Sequence, residues 1–196
     1  MVLTERVQRH FFDSIAAAET TMALLAPAIA VSAEKIVQTL MVDGKVMACG
    51  NGGSAAQAQH FAACMVGCFE RERPGLAALA LSTDSSVLTA IGNHYDFDLV
   101  FSKQVHALGR AGDLLLAIST SGNSANVISA VHAAHDRQMG VIALTGHEGG
   151  QVGELLAGDD IHLCVPLTRT ARIQEAHITI IHALCDAVDY LLLGGE

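Results

Sequence analysis

The sequence predicts an α/β fold: a three-layer sandwich around a five-stranded parallel sheet of order 2-1-3-4-5, with helices on both faces. Three observations carry this expectation. From Lys45 onward, short and almost wholly apolar runs alternate with segments of helical spacing, the pattern of parallel strands buried on both sides. Two of the strand-to-helix turns are built from glycines or hydroxyls rather than from ordinary loop residues. The 196 residues are 51% hydrophobic but only 4% aromatic, enough for one domain with a core of Ala, Leu, Val and Ile. No internal repeat, low-complexity segment or linker divides the chain, so residues 1–196 read as a single domain.

Residues 4–40 form an N-terminal helical arm, with Val7, Phe11, Ile15 and Ala18 on one face. Pro27 is expected to split it into two helices. The arm is strongly apolar, so part of it is expected to pack against another subunit, with Val7, Phe11 and Ile15 largely buried. Asp43-Gly44 is a turn, and Lys45–Cys49 is the first strand. The glycine-rich turn Gly50-Asn51-Gly52-Gly53-Ser54 leads into a helix from Ala55 to about Val66. Pro74-Gly75 precedes the second strand, Leu76–Leu81. Helical spacing follows at Asp84–Ile91 and Phe97–Leu108, and the third strand is Asp113–Ile118. The turn Ser119-Thr120-Ser121-Gly122-Asn123-Ser124 comes next, then a helix over Ala125–His135 with Val127, Ile128, Val131 and Ala134 at helical spacing. Gly140–Leu144 is the fourth strand, a short helix lies near Gly150–Leu156, and Ile161–Val165 is the fifth strand. A long helix over Thr168–Leu193 closes the chain.

The turn after the third strand carries the clearest chemistry. A helix N-terminus offers free backbone N–H groups and the positive end of the macrodipole, and so attracts an anion. Ser119, Thr120, Ser121 and Ser124 add four hydroxyl donors, and Gly122 allows close backbone approach. An N-cap with spare serines would need one or two hydroxyls; four in six residues after a core strand point to phosphate. With strand order 2-1-3-4-5 the switch point lies between strands 1 and 3. The loops there are Gly50–Ser54 and Ser119–Ser124, so topology and loop chemistry indicate one cleft.

The net charge of −9 argues against direct nucleic-acid binding or an anionic membrane surface. No segment is expected to be long and apolar enough to span a bilayer, and Glu5, Arg6, Arg9 and Asp13 are unlike a signal peptide. A cytoplasmic protein is expected. The five cysteines lack the spacing of a disulfide framework and read as reduced thiols. Cys49, Cys164 and Cys185 are expected in the core. Histidines 10, 106, 132, 135, 147, 162 and 177 are expected on helix surfaces or in loops, with His94 a loop residue by default.

The strings Cys49-Gly50-Asn51-Gly52-Gly53-Ser54, His60-Phe61-Ala62, Ser119–Ser124, Ala143-Leu144-Thr145-Gly146 and Arg172-Ile173-Gln174-Glu175 together resemble the SIS-domain proteins of the phosphoheptose isomerase group. The resemblance covers nearly the whole chain and implies a flavodoxin-like SIS domain assembled as a homotetramer. One branch of the group interconverts sedoheptulose 7-phosphate and glycero-manno-heptose 7-phosphate for lipopolysaccharide heptose. The other is the DnaA initiator-associating protein DiaA, a regulator of replication initiation. The resemblance implies phosphosugar contacts at Asn51, Gly52, Gly53, Ser54, Asn93, His94, Ser119, Thr120, Ser121, Ser124 and Gln174. It implies zinc ligands at His60, Cys64, Gln174 and His182, and acid–base chemistry at Cys64 and His182. His60 and Cys64 stand i and i+4 on one helix face, and Gln174 and His182 about two turns apart.

Three positions depart from the isomerase pattern. The family's glutamate, which moves the proton between C1 and C2, is here Cys64; its usual arginine is Cys68; its usual aspartate after Asn93 is His94. Aldose–ketose isomerisation needs a base, and losing one slows the step by about 10²–10⁴-fold. A thiol with a pKa near 8.5 suits the task less well than a carboxylate. Cys64 is also a good zinc ligand, whereas Gln174 is a poor one; the alternative is a small helix residue facing the cleft with no metal. The string His60–Met65 is closer to the DiaA branch. The residues therefore favour a phosphosugar-binding, DiaA-like partner of DnaA with weak or absent isomerase activity. The alternative is an active phosphoheptose isomerase.

Overall fold

The computed structural model describes residues 2–195. Five strands, β1 (Val46–Cys49), β2 (Ala78–Ala80), β3 (Leu114–Ser119), β4 (Gly140–Thr145) and β5 (Ile161–Cys164), form one sheet of order β2-β1-β3-β4-β5. Every pairing is parallel, as the alternation of strands and helices predicts. The helices are α1 (Leu3–Met41), α2 (Gly53–Val66), α3 (Ser85–His94), α4 (Ser102–Leu108), α5 (Ala125–Asp136), α6 (Gly150–Leu155) and α7 (Thr170–Leu193).

Successive residues of the central strands feed two separate cores, since strand side chains alternate between faces. Val46, Ala48, Leu114, Leu116 and Ile118 pack with α1, α2 and α7. Met47, Cys49, Leu115 and Ala117 pack with the α4, α5 and α6 layer, against which Leu88 and Ile91 of α3 also rest. The middle strands β1 and β3 are buried throughout, which is why they appear in the sequence as unbroken apolar runs.

Several local expectations are corrected. Pro27 lies inside α1, which runs unbroken for 39 residues. Proline removes one backbone hydrogen bond, but α1 is docked along α7 on both sides of it: Ser14 donates to Glu175 at 2.8 Å near one end, and Ile36 is fully buried towards the other. Tertiary contact outweighs the local break. The segment 97–108 holds a 3-10 turn at Phe97–Leu99 before α4, not one helix. The second strand keeps only Ala78–Ala80 of the range 76–81.

Two helices, α1 and α7, are long and apolar enough to cross a membrane by length and composition, against the expectation that no segment is. The charged N-terminal turns misled that reading: between Asp13 and Glu34 the only charge is Glu19. α7 places Ile173, Ile180, Leu184 and Val188 in the core. α1 leaves much of its apolar surface outside: Val7, Phe11 and Ile15 are 50%, 68% and 56% exposed in the single chain, so the burial expected for them is not supplied by this chain. An apolar groove of about 560 Å³ runs between α1 and α7, lined by Ile15, Met22, Ile29, Ile180 and Ala183 among others.

The histidines also divide differently. His177 is fully buried on α7, where its Nε2 donates to the Thr145 carbonyl at 2.9 Å and its Nδ1 has no partner among the described residues. His162 lies on β5, half-buried and 2.8 Å from the Thr145 hydroxyl. Cys49 and Cys185 are core residues as expected, Cys164 is half-buried, and all five thiols are free.

Burial pushes the His177 pKa from 6.5 down to about 4, and its hydrogen bond to Thr145 only partly offsets this. The folded state thus resists a proton that the unfolded chain accepts near 6.5. Its contribution to stability is complete above pH 6.5 and is lost as the pH falls through 4, in total roughly 3 kcal/mol. Denaturant unfolding followed from pH 7 to 4 should show this decline, and His177→Gln, which keeps an N–H donor, should flatten it. An equally steep decline in the variant would place the acid sensitivity elsewhere.

Candidate functional site

The two loops singled out by topology are bound to each other. Asn51, in the turn after β1, and Asn126, in the first turn of α5, exchange reciprocal side-chain amide hydrogen bonds at 2.8 and 2.9 Å. Asn126 is buried, so this pair is a fixed strut across the switch point. The turn after β3 is equally constrained. Gly122 has φ +67°, and a Cβ there would lie 1.8 Å from the Gly149 carbonyl oxygen. The Val152 N–H donates to the Gly122 carbonyl at 2.9 Å, and the Gln151 N–H to the Asn123 side chain at 3.1 Å. The turn is thus clamped between α5 and α6.

Within it, the Ser119 and Ser124 hydroxyls are 3.1 Å apart. Ser119 is buried, Thr120 and Ser124 half-buried, and Ser121 exposed, with the Ser121 oxygen accepting the Asn123 N–H at 3.1 Å. These hydroxyls surround the N-terminus of α5, a 12-residue helix whose first N–H groups lack intrahelical partners. The set is suited to an oxyanion such as phosphate. A cavity of about 630 Å³ adjoins the turn on the β4–β5 side, lined by Ser121, Asn123, His147, Glu148 and Thr168 among others. Asn51 and Gly52 lie on its β1 side.

Gly52 and Gly53 are exposed at the start of α2, while Ser54 is buried beneath them. Gln174 closes this edge: a Cβ on Gly53 would meet its amide nitrogen at 2.4 Å, and the Gln174 carbonyl accepts from Gln57 at 2.7 Å. Gly53 is therefore required by close contact with α7.

Farther along α2 a second group converges. His60 Nε2 and His182 Nε2 are 2.8 Å apart, and Cys64 Sγ is 3.6 Å from His60 Nε2. The His182 ring also packs on Phe69, with centroids 5.4 Å apart. Cys64 is 7% exposed. Burial pushes its thiol pKa up; a hydrogen bond with Cys185 and the charge of Arg73 oppose this more weakly.

The donor set of His60, Cys64 and His182 is chemically one for zinc. Zinc bonds of about 2.0–2.1 Å to nitrogen and about 2.3 Å to sulfur separate tetrahedral N and S ligands by about 3.5 Å and two nitrogens by about 3.3 Å. The Cys64–His60 spacing matches. The two imidazoles stand at hydrogen-bond distance, so His182 would have to draw back by about half an ångström. As they lie, the three side chains form a hydrogen-bonded group, and among the described residues none of three or more such side chains is set as a metal cage. Gln174, against Gly53, lies about 10 Å along α2 from His60. The trio therefore has donors of the kind zinc takes, but as they lie they are not spaced to enclose it.

Of the residues singled out from sequence, Asn51, Gly52, Gly53, Gln174 and the Ser119–Ser124 hydroxyls share one cleft edge, and His60, Cys64 and His182 share the α2–α7 seam. Asn93 and His94 lie on α3. Both are exposed in the last turn of α3, a helix end rather than the loop expected for His94, and among the described residues no hydrogen bond ties either to the two loops. Asn126 and Gln57 were missed. Asn126 sits two residues after Ser124, where an amide in the first helical turn could have signalled a partner; nothing marks Gln57.

Comparison with known proteins bears on the fold and the family. The SIS domain family model matches residues 10–146. The chain is 69% identical over 196 residues, all of both chains, to a protein of Laribacter hongkongensis named phosphoheptose isomerase. It is 60% identical over 195 residues to one of that name from Methylibium petroleiphilum, covering 100% of this chain and 98% of the relative. The solved phosphoheptose isomerase of Neisseria gonorrhoeae superposes with a TM-score of 0.92 at 60% identity, over 96% of this chain and 99% of that one. That of Francisella tularensis gives 0.93 at 48% identity, with the same coverages.

Charge-assisted hydrogen bonds contribute about 1.5–3 kcal/mol each. Ser119→Ala combined with Ser124→Ala should therefore weaken phosphosugar binding at least tenfold in a calorimetric titration. Unchanged affinity would remove the turn from the binding site.

Proposed function

Because the chain belongs to the phosphoheptose isomerase group of SIS-domain proteins, we propose that it binds sedoheptulose 7-phosphate and interconverts it, slowly, with glycero-manno-heptose 7-phosphate. The observation that carries this reading is the strut between Asn51 and Asn126, which joins the glycine turn and the hydroxyl turn into one rigid cleft. Relatives at 58–69% identity over their full length bear the isomerase name. That supports the enzyme more strongly than the DiaA-like, DnaA-binding reading favoured from sequence. The latter rests on Cys64.

The phosphate is held by the Ser119, Thr120, Ser121 and Ser124 hydroxyls and the N-terminus of α5. Asn51, Gly52 and Gln174 border the sugar. Isomerisation removes a proton from C2 of the open-chain aldose, passes through an enediol, and returns a proton to C1 while the hydroxyl proton moves between the two oxygens. Cys64 and His182 lie on the seam where this exchange is assigned. The Cys64 thiol, its pKa raised by burial, is mostly protonated at neutral pH and is a weak base there. His182, paired with His60, supplies the imidazole that accepts and returns protons. His60, Cys64 and His182 would also hold zinc, which when bound polarises the carbonyl as a Lewis acid.

The outward apolar face of α1 and the groove beside α7 support the homotetramer that the resemblance implies, with other copies of the chain covering them. Sedimentation at micromolar concentration should give a tetramer, and Ile15→Glu with Met22→Glu should lower the oligomeric state. A wild-type monomer would end this assignment.

The assay that decides the function follows purified protein with sedoheptulose 7-phosphate, with and without zinc. Wild type should turn over slowly. Cys64→Glu should raise the rate at least tenfold, in kcat more than in KM, because a base acts mainly in the transition state. A triple variant, Cys64→Glu with Cys68→Arg and His94→Asp, that binds the sugar but stays inert would refute the isomerase reading and favour the DiaA-like one.

A further inference from the structure

α2 carries His60 and Cys64, and α7 carries His182. What fixes one helix against the other at this level is a side chain from outside both. Arg73, in the loop before β2, is buried, with its side chain 1% exposed. Its Nε donates to Asp189 Oδ1 at 2.5 Å. Its Nη2 donates to the Cys64 carbonyl at 2.9 Å and its Nη1 to the Met65 carbonyl at 2.8 Å, with longer contacts to the Gly67 and Pro74 carbonyls at 3.4 Å. α2 ends at Val66 and has no basic residue in its last turn. Arg73 therefore supplies the positive charge that this end of α2 lacks and a donor for its Cys64 carbonyl, while the Met65 carbonyl also accepts from the Leu76 N–H at 2.9 Å.

The other half of the clamp is on α7. Asp189 is 2% exposed and lies four residues after Cys185 and seven after His182, on the same helix face. Its second oxygen, Oδ2, is buried without a partner among the described residues, so the carboxylate is committed to Arg73. One planar guanidinium thus reaches the backbone of Cys64 on one side and the His182 face of α7 on the other. A lysine, with a single nitrogen, cannot span these partners.

We propose that the Arg73–Asp189 pair is the positioning element that sets His60 and Cys64 against His182. Its consequence for rate rests on the isomerase reading. The phosphate turn is built on β3, α5 and α6 and does not touch the clamp, so loosening the clamp should affect the chemical step and leave sugar-phosphate binding intact.

Three variants test this, in wild type and in Cys64→Glu. Arg73→Lys keeps the charge but not the reach. Asp189→Asn removes the counter-charge. Arg73→Met with Asp189→Leu replaces the buried pair by apolar side chains, an exchange that often preserves stability but cannot bind the α2 carbonyls. All three should lower kcat at least tenfold, with KM and the calorimetric stoichiometry for sedoheptulose 7-phosphate unchanged within twofold. If the apolar pair restores kcat together with stability, the clamp is merely structural and the proposal fails. It also fails if KM and stoichiometry deteriorate in step with kcat.

A readout without turnover separates the clamp from the isomerase reading. Long-range proton–nitrogen spectra of the imidazoles, recorded on protein stripped of metal, should show fixed, opposite roles for His60 Nε2 and His182 Nε2 in the wild type, one donor and one acceptor, and averaged tautomers in Arg73→Lys. Inert protein in every form, with that spectral change present, retires the isomerase reading and supports the clamp. An unchanged spectrum in Arg73→Lys overturns it.

Discussion

The sheet is apolar on both faces, and that constraint organises everything else. Strands buried on two sides must be covered on two sides, and each crossover must deliver its helix to one face or the other. The helix after β1 goes to the α1–α7 side and the helix after β3 to the opposite side. β1 and β3 are neighbours, so their loops diverge from adjacent strand ends and leave a crevice between them. Residues that would clutter a turn elsewhere, four hydroxyls in one turn and three glycines in the other, are accommodated there because the core strands beneath hold the loops in place. The Asn51–Asn126 pair spans the same crevice and fixes its width.

The strands and the strand order were legible because burial on both faces leaves no polar positions in β1 or the body of β3 to blur the pattern. The hydroxyl turn was legible because its chemistry is local. What sequence reading missed depends on partners distant along the chain. Arg73 reads as one charge in the Arg71–Pro74 stretch and is informative only when Asp189, 116 residues away, is placed beside it. Asn126 needs Asn51. Pro27 carries a strong local breaking signal, yet α1 continues because its contacts with α7 lie on both sides of the break. His177 is different, since the signal was present: with Ile173, Ile180 and Leu184 it follows i, i+4, i+7, i+11 spacing, the buried stripe of α7. A polar residue on such a stripe marks a core histidine with a specific partner.

The two parts of the candidate site differ in how they are held, and this matters for how each tolerates change. The phosphate turn is fixed by backbone: Gly122 against Gly149, and amides of α6 on the turn. Side-chain changes there remove donors without moving the frame. The His60–Cys64–His182 group is fixed by the approach of two helices, and among the described residues no backbone–backbone hydrogen bond links α2 to α7. Side chains must do it, which gives Gln57 at one end of the seam and Arg73 at the other their weight. A substitution that is mild in sequence terms can therefore be severe at the seam and mild at the turn.

Cys64 joins this mechanical picture to the chemistry. Burial disfavours the charged form of any acid placed at that position. For a carboxylic acid, whose ordinary pKa is near 4, the displacement moves it towards neutrality, where a general base is most effective. For a thiol, whose ordinary pKa already lies above neutrality, the same displacement moves it further away. The seam is thus electrostatically suited to a glutamate and poorly suited to the cysteine that occupies it. The surrounding machinery, meaning the paired imidazoles, the clamped helix end and the rigid phosphate turn, retains the form that a proton-transfer site requires. A cleft kept only to present an outer surface to another protein would have little need to hold His60 and His182 in register. That register is what favours the enzyme reading over the departures at Cys64, Cys68 and His94.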